Sequence, residues 1–203
     1  MANMLDLLTL EECLDEFGGL GQSRVGIVEA YITAVSLKID ELCGPVVVRN
    51  VVETHVLPVD YWVSTIWPYK APIDKINKVD EYSMGGVHTP LTAETTTSKG
   101  NAAFLFDPVR YLIVRRCDGF PIYFPYSGMV VVDYDAGRFA DTASVDERFK
   151  GAARLILHNL WLFARGTGNL TFGAPDNPGL PGYLIPNAAM ALLGLDVRIP
   201  GIA

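Results

Sequence analysis

The spacing of apolar residues changes twice along this chain, and these changes constrain its fold more than any other feature. Near the N-terminus, apolar residues at helical spacing predict a long helix over residues 24–43, which Gly44-Pro45 ends. A second stripe of the same kind predicts a long helix over residues 144–164. Helices at both ends with a different pattern between them indicate an α+β protein.

Between these helices the apolar residues recur with a period of two, which is typical of strands. The clearest runs are residues 111–115 and 129–134, and Asp118-Gly119 between them predicts a tight hairpin turn. Residues 61–67 are rich in aromatic and β-branched side chains and are also predicted as a strand. Residues 83–100, with a glycine pair and a Thr/Ser cluster, are predicted as a long loop.

Together these patterns predict an α+β fold with an antiparallel-type helical core of two long helices, short terminal helices, and a β-rich insertion between the long helices. The whole chain, residues 1–203, is predicted to form a single domain. Its helical parts are residues 1–44 and 144–203, and residues 45–143 are the insertion.

Short motifs mark where the helices begin. Thr9 and Glu12 have the spacing of a capping box, in which each side chain binds the other's backbone N–H. Ser144 and Glu147 have the same spacing. Pro186 suits the first turn of a short helix that continues to residue 193.

The charge balance argues against a protein that wraps nucleic acid. The chain has 16 basic and 23 acidic residues, whereas nucleic-acid binding needs a positive surface. The first ten residues contain no basic residue before their apolar run, so no secretory signal is predicted. No segment is apolar enough to predict a membrane span, and the three widely spaced cysteines predict reduced thiols.

Residues with catalytic or metal-binding chemistry are scattered. His55, His88 and His158 lie in unrelated contexts, and none has the spacing of a metal motif. Cys117 or Ser127 could act as a nucleophile only if the fold placed a histidine beside it. We therefore predict that the chain is not an enzyme and binds no cofactor or metal, with an unrecognised hydrolase as the alternative.

The order of several segments resembles the head-to-tail connector, or adaptor, proteins of long-tailed bacteriophages, in the form found in actinobacterial phages. The resemblance covers almost the whole chain, from the capped helix at the start to the apolar C-terminal peptide. It rests on residues 9–12, 28–32, 41–44, 72–79, 131–137, 145–153, 160–166, 182–187, 192–193 and 198–201.

This resemblance implies a structural virion protein of the phage neck. Such proteins form a ring of twelve copies that docks on the portal protein, with a stopper or tail-completion protein attached below and double-stranded DNA passing through the lumen. The implied location is the virion neck, with no membrane contact. The alternative within the same particle is another neck protein, such as a tail terminator or a stopper.

Three surfaces are candidates for function in such a ring. The acidic first helix is a candidate lining of the DNA channel, since acidic residues would repel phosphate, although a solvated outer face explains the same charges. Trp62 and Trp67, five residues apart on a predicted strand, would point to opposite faces, so at least one is expected at a subunit interface. The residues predicted to line the channel, all on the acidic first helix, are Glu11, Glu12, Asp15 and Glu16.

The third candidate surface is the C-terminal segment, residues 186–203, which is short, apolar and preceded by a Gly/Pro-rich stretch. An apolar terminus needs a partner, so this segment is predicted to dock on the portal. The competing interpretation is that it folds back and completes the chain's own core. The predicted docking residues are Pro186, Leu192, Leu193, Arg198, Ile199, Pro200 and Ile202.

Overall fold

The computed structural model divides the chain into two compact units, each with a hydrophobic core of its own. We call residues 1–47 and 139–203 the helical unit, and residues 48–138 the sheet unit. The residues that the structure describes are 5–16, 25–95, 100–125, 127–164 and 185–194.

The helical unit contains α1 (Leu10–Glu16), α2 (Val25–Cys43), α3 (Glu147–Ala164) and α4 (Asn187–Leu193). Apolar side chains from all four helices share one core, because each helix presents one apolar face to it. No helix in the described ranges combines the length and apolar character needed to cross a membrane.

Two polar caps fix the starts of these helices, and only one of them was correctly predicted. Glu12 Oε2 accepts the Thr9 N–H at 2.7 Å and Thr9 Oγ accepts the Glu12 N–H at 3.2 Å, which confirms the first capping box. The second predicted box is wrong, because Ser144 pairs with Asp141 in a short 3-10 turn. Asp146, directly before α3, accepts the Arg148 N–H at 2.7 Å instead.

Within its described residues, the sheet unit contains eight strands in the order β1-β8-β3-β4-β5-β6-β2, with β7 paired to β6. All pairings are antiparallel except β4 with β5. The turn predicted at Asp118-Gly119 is present, with positive φ at both residues, but it joins β6 to the short strand β7 and not to β8. The strands are β1 (Arg49–Val56), β2 (Thr65–Ile66), β3 (Ile73–Tyr82), β4 (His88–Ala93), β5 (Ala103–Asp107), β6 (Leu112–Cys117), β7 (Phe120–Pro121) and β8 (Met129–Ala136).

Strand β8 lies between β1 and β3, and every second side chain along it is buried. Val130, Val132, Tyr134 and Ala136 therefore form the centre of the sheet unit's core. A buried ion pair joins two strands that are not neighbours in the sheet. Arg115 of β6 donates from Nε and Nη2 to the carboxylate of Glu81 in β3, at 2.8 and 3.0 Å.

The fold class predicted from the sequence is wrong. It treated the strands as an insertion into a core of two long helices, whereas they form an eight-stranded mixed sheet with its own core. Apolar residues that recur with a period of two indicate where strands lie, but they do not show which strands pair. The single connector domain over residues 1–203 stays a prediction.

Two local predictions in the sheet unit are also wrong. Within residues 61–67, only β2 (Thr65–Ile66) is strand, and the segment otherwise has irregular structure. The predicted loop at residues 83–100 contains β4, whose Pro90 is opposite Asp80 of β3. The strand was missed because Pro90 has no backbone N–H, and a proline within a segment normally argues against a strand.

Candidate assembly surfaces

An open cleft on the sheet unit is lined mainly by aromatic and apolar side chains. Residues 55–58, 61–67 and 69 line it, and its cavity volume is about 540 Å³. Trp62 and Trp67 are 59% and 61% exposed, and Tyr61 and Tyr69 are exposed as well. Aromatic side chains grouped in an exposed patch are typical of protein interfaces. We call this feature the aromatic cleft.

A partly buried glutamate anchors the segment that carries Tyr69 to the sheet. Glu53 Oε2 accepts the Tyr69 N–H at 2.8 Å, and Glu53 Oε1 accepts the Tyr134 hydroxyl at 2.6 Å. The Tyr134 oxygen in turn accepts the Lys70 N–H at 3.1 Å. Because Tyr134 is fully buried in β8, these bonds fix one side of the aromatic cleft to the centre of the sheet.

His55 contributes an uncharged ring to the aromatic cleft. Its ring stacks on Tyr69, with centroids 4.7 Å apart, and its Nε2 lies 3.5 Å from Glu53 Oε2. Burial lowers the pKa of His55, although the carboxylate of Glu53 acts in the opposite direction. At neutral pH the imidazole is therefore neutral and presents an aromatic surface.

Trp62 and Trp67 are not exposed for the reason predicted from the sequence, which was that residues five apart on one strand point to opposite faces. The argument from strand parity fails because residues 62 and 67 lie outside β2. Both indoles are exposed, and Trp62 contacts Tyr123 with ring centroids 5.7 Å apart. Sequence analysis missed Tyr61, Tyr69 and Tyr123, although the density of aromatic residues in this part of the chain was a usable signal. The role of Trp62 and Trp67 at a subunit interface stays a prediction.

The acidic residues of α1 have different environments. Glu11 is exposed. Glu12 caps α1 and binds the buried ammonium of Lys150 at 2.7 Å, so it has a structural role within the helical unit. The side chains of Asp15 and Glu16 lie outside the described residues. A channel lining on α1 stays a prediction. Glu11 suits that role better than Glu12, because Glu11 is exposed and Glu12 is bound to Lys150.

The predicted docking segment divides at Gly194. Leu193 is fully buried in the core of the helical unit, Leu192 is 37% exposed, and Pro186 is the residue before α4. Leu193 and Ala189 therefore belong to the chain's own core, whereas the docking role of Pro186 and Leu192 stays a prediction. Arg198, Ile199, Pro200 and Ile202 lie outside the described residues, and their docking role stays a prediction.

The two candidate nucleophiles do not form a catalytic arrangement. Cys117 Sγ donates a hydrogen bond to Asp118 Oδ2 of the next residue, at 3.9 Å. Ser127 lies in the turn before β8, and within the described ranges neither side chain hydrogen-bonds to a histidine. Among the same residues, no group of three or more His, Cys, Asp or Glu side chains could hold a metal ion.

No protein-family profile matches this sequence, and no curated protein matches it. Solved structures do match, over nearly the full length of both chains. A chain in the neck of an empty GTA particle, computed with C6 symmetry, is 19% identical with a TM-score of 0.63, covering 99% of this chain and 98% of that one.

Two further structures give the same coverage of 99% of this chain and 98% of the matched chain. A chain of the virion of the native gene transfer agent (GTA) particle is 17% identical with a TM-score of 0.64. A chain in the neck of the native GTA particle, computed with C12 symmetry, is 18% identical with a TM-score of 0.54. At these identities the likeness shows a shared fold.

Proposed function

We propose that this chain is a structural protein of the neck of a phage-like particle and that it works as a head-to-tail connector. The observation that carries this proposal is the full-length likeness to chains from GTA particle necks. We propose further that it is not an enzyme.

The connector would form a closed ring, with twelve copies as the expected number. Two of the similar structures were computed with C6 and C12 symmetry, which supports a cyclic assembly. In this proposal one side of the ring docks on the portal protein, the other receives a stopper or tail-completion protein, and double-stranded DNA passes through the lumen. The acidic chain suits that passage, since it does not hold the phosphates.

The purified chain tests this proposal when it is mixed with the portal protein of its own particle and imaged by electron microscopy. We expect a twelve-fold ring stacked on the portal, and native mass spectrometry should give the same copy number. A chain that stays monomeric beside portal would contradict the proposal. A ring that binds only the end of the tail tube would instead identify a tail terminator, and one that binds only an assembled connector would identify a stopper.

A further inference from the structure

The aromatic cleft has the chemistry of a site for a proline-rich peptide. Such sites bind an extended peptide in the polyproline II conformation between exposed aromatic rings. Here the rings belong to Tyr61, Trp62, Trp67 and Tyr69, with His55 stacked on Tyr69. The bonds between Glu53, Tyr134 and the Tyr69 backbone hold part of the site in place before any ligand binds, which reduces the ordering cost.

The chain itself contains a peptide of the required kind, in a segment outside the described residues. Pro175, Pro178 and Pro181 are spaced by three in the sequence Ala-Pro-Asp-Asn-Pro-Gly-Leu-Pro. A polyproline II helix has three residues per turn, so this spacing predicts three prolines on one face. Prolines on one face of an extended peptide are what an aromatic groove recognises. A segment rich in Gly and Pro need not space its prolines by three, so the spacing is a feature of its own.

The length of the surrounding segment permits binding at a distance. Nine residues separate the end of α3 from residue 174, and an extended chain spans up to about 30 Å over that number. On the other side, only residues 183 and 184 separate the peptide from Ile185, which packs on the core of the helical unit. The peptide can therefore bind only a neighbour's cleft that lies within about 10 Å of the start of α4.

We propose that the proline-rich segment, residues 174–182, of one copy binds in the aromatic cleft of the neighbouring copy. This inference rests on the ring proposed above and specifies one of the contacts that closes it. Each copy supplies one peptide and one cleft, so the contact is head-to-tail, as a cyclic ring requires. It also covers an aromatic patch that a lone subunit leaves exposed.

Disulfide trapping in the assembled ring tests this directly. Ala174→Cys is placed in one chain and Val59→Cys, at an exposed position between cleft residues 58 and 61, in another, both with Cys117→Ser. Mixed rings should give a disulfide-linked pair on oxidation. The pair should be lost when P175A, P178A and P181A are added to the first chain. It should persist with the matched control D176A, N177A and G179A, which changes the same segment off the proline face.

Tryptophan quenching by acrylamide gives a second readout in chains without added cysteines. Of the three tryptophans, Trp161 is buried, so the accessible signal comes from Trp62 and Trp67 in the aromatic cleft. We expect both to become protected when the isolated chain forms a ring, and to remain accessible in rings of the triple proline variant.

Several results would overturn the proposal while leaving the neck function intact. Rings that form with neither cross-link nor protection would show that the aromatic cleft does not bind this segment. Protection already present in the monomer, or an internal disulfide in a chain carrying both cysteines, would place the peptide in its own cleft. Protection that appears only after portal is added would assign the cleft to the portal. A chain that never forms a ring, with or without portal, would contradict both proposals.

Discussion

The ammonium group of Lys150 lies inside the helical unit, where Glu12 is its partner. The Lys150 side chain is 7% exposed, and its Nζ lies 2.7 Å from Glu12 Oε1. Burial alone would raise the pKa of Glu12, but the hydrogen bonds from Lys150 and from the Thr9 N–H lower it below its ordinary value. A residue that looked like one acid among several therefore acts as a structural counter-ion.

Replacing Glu12 by Gln should destabilise the chain by about 1–3 kcal/mol, because it leaves the Lys150 charge buried without its partner. The loss should be largest at neutral pH. A carboxyl with a lowered pKa in the folded state stabilises above the ordinary value of 4.5, and this stabilisation declines as the pH falls through the lowered value. Urea unfolding at several pH values measures it.

The neighbouring acid supplies the control for this substitution. Glu11→Gln, at an exposed position, should change the free energy of unfolding by less than about 0.5 kcal/mol. Equal effects of the two substitutions across the pH range would show that the ion pair with Lys150 contributes nothing.

Arg115 offers a second test at the residue scale, because its planar guanidinium makes two parallel bonds to Glu81. A lysine cannot reproduce that fork, so Arg115→Lys should cost on the order of 2–4 kcal/mol although the charge is retained. Arg110→Lys, in the exposed turn before β6, is the matched control and should be nearly neutral. If the two lysine variants unfold at the same urea concentration, the geometry of the buried pair is unimportant.

At the scale of elements, the C-terminal segment should separate into a structural and a docking part. Removing residues 195–203 should leave thermal unfolding nearly unchanged and abolish binding to portal, as measured by co-sedimentation. Removing residues 186–203 should also destabilise the chain by more than about 2 kcal/mol, because Ala189 and Leu193 leave the core. A chain shortened to residue 194 that still binds portal would refute the docking role.

Helix α1 carries the acidic residues predicted to line the DNA channel. They can be tested without changing Glu12, which has a structural role. Reversing Glu11, Asp15 and Glu16 to Lys should slow DNA ejection from particles, because lumenal lysines would bind phosphates as the duplex passes. Glu12 is kept in this variant because it caps α1 and binds Lys150. Normal ejection from particles with complete rings would place these side chains on an outer surface.

The elements also show how far the sequence could be interpreted. Strong local signals predicted α2, α3, α4, β8 and the Asp118-Gly119 turn, since periodicity and turn chemistry are properties of short segments. Strand pairing is not local, so the mixed sheet and the parallel β4 and β5 pair were missed. The aromatic cleft was only half found, because its residues are exposed by the anchoring of Tyr69 to Glu53 and not by strand alternation.

For the whole molecule, the aromatic cleft should matter to assembly and not to folding. Trp62→Ala and Trp67→Ala remove side chains that are 59% and 61% exposed, so each should change the free energy of unfolding by less than about 1 kcal/mol. Each should nevertheless raise the protein concentration needed for ring formation, as followed by analytical ultracentrifugation. Phe120→Ala, at a still more exposed aromatic on β7, is the control and should assemble normally. A parallel loss of stability and assembly would make both tryptophans part of the fold.

The division of the chain into two units has a consequence for the order of folding during synthesis. The sheet unit is one continuous stretch, residues 48–138, whereas the helical unit is built from both ends of the chain. On the ribosome, α1 and α2 emerge first but lack α3 and α4, with which they share a core. The sheet unit can complete its own core as soon as β8 has been made. The apolar faces of α1 and α2 therefore stay without their native partners until α3 is complete, more than a hundred residues after the end of α2.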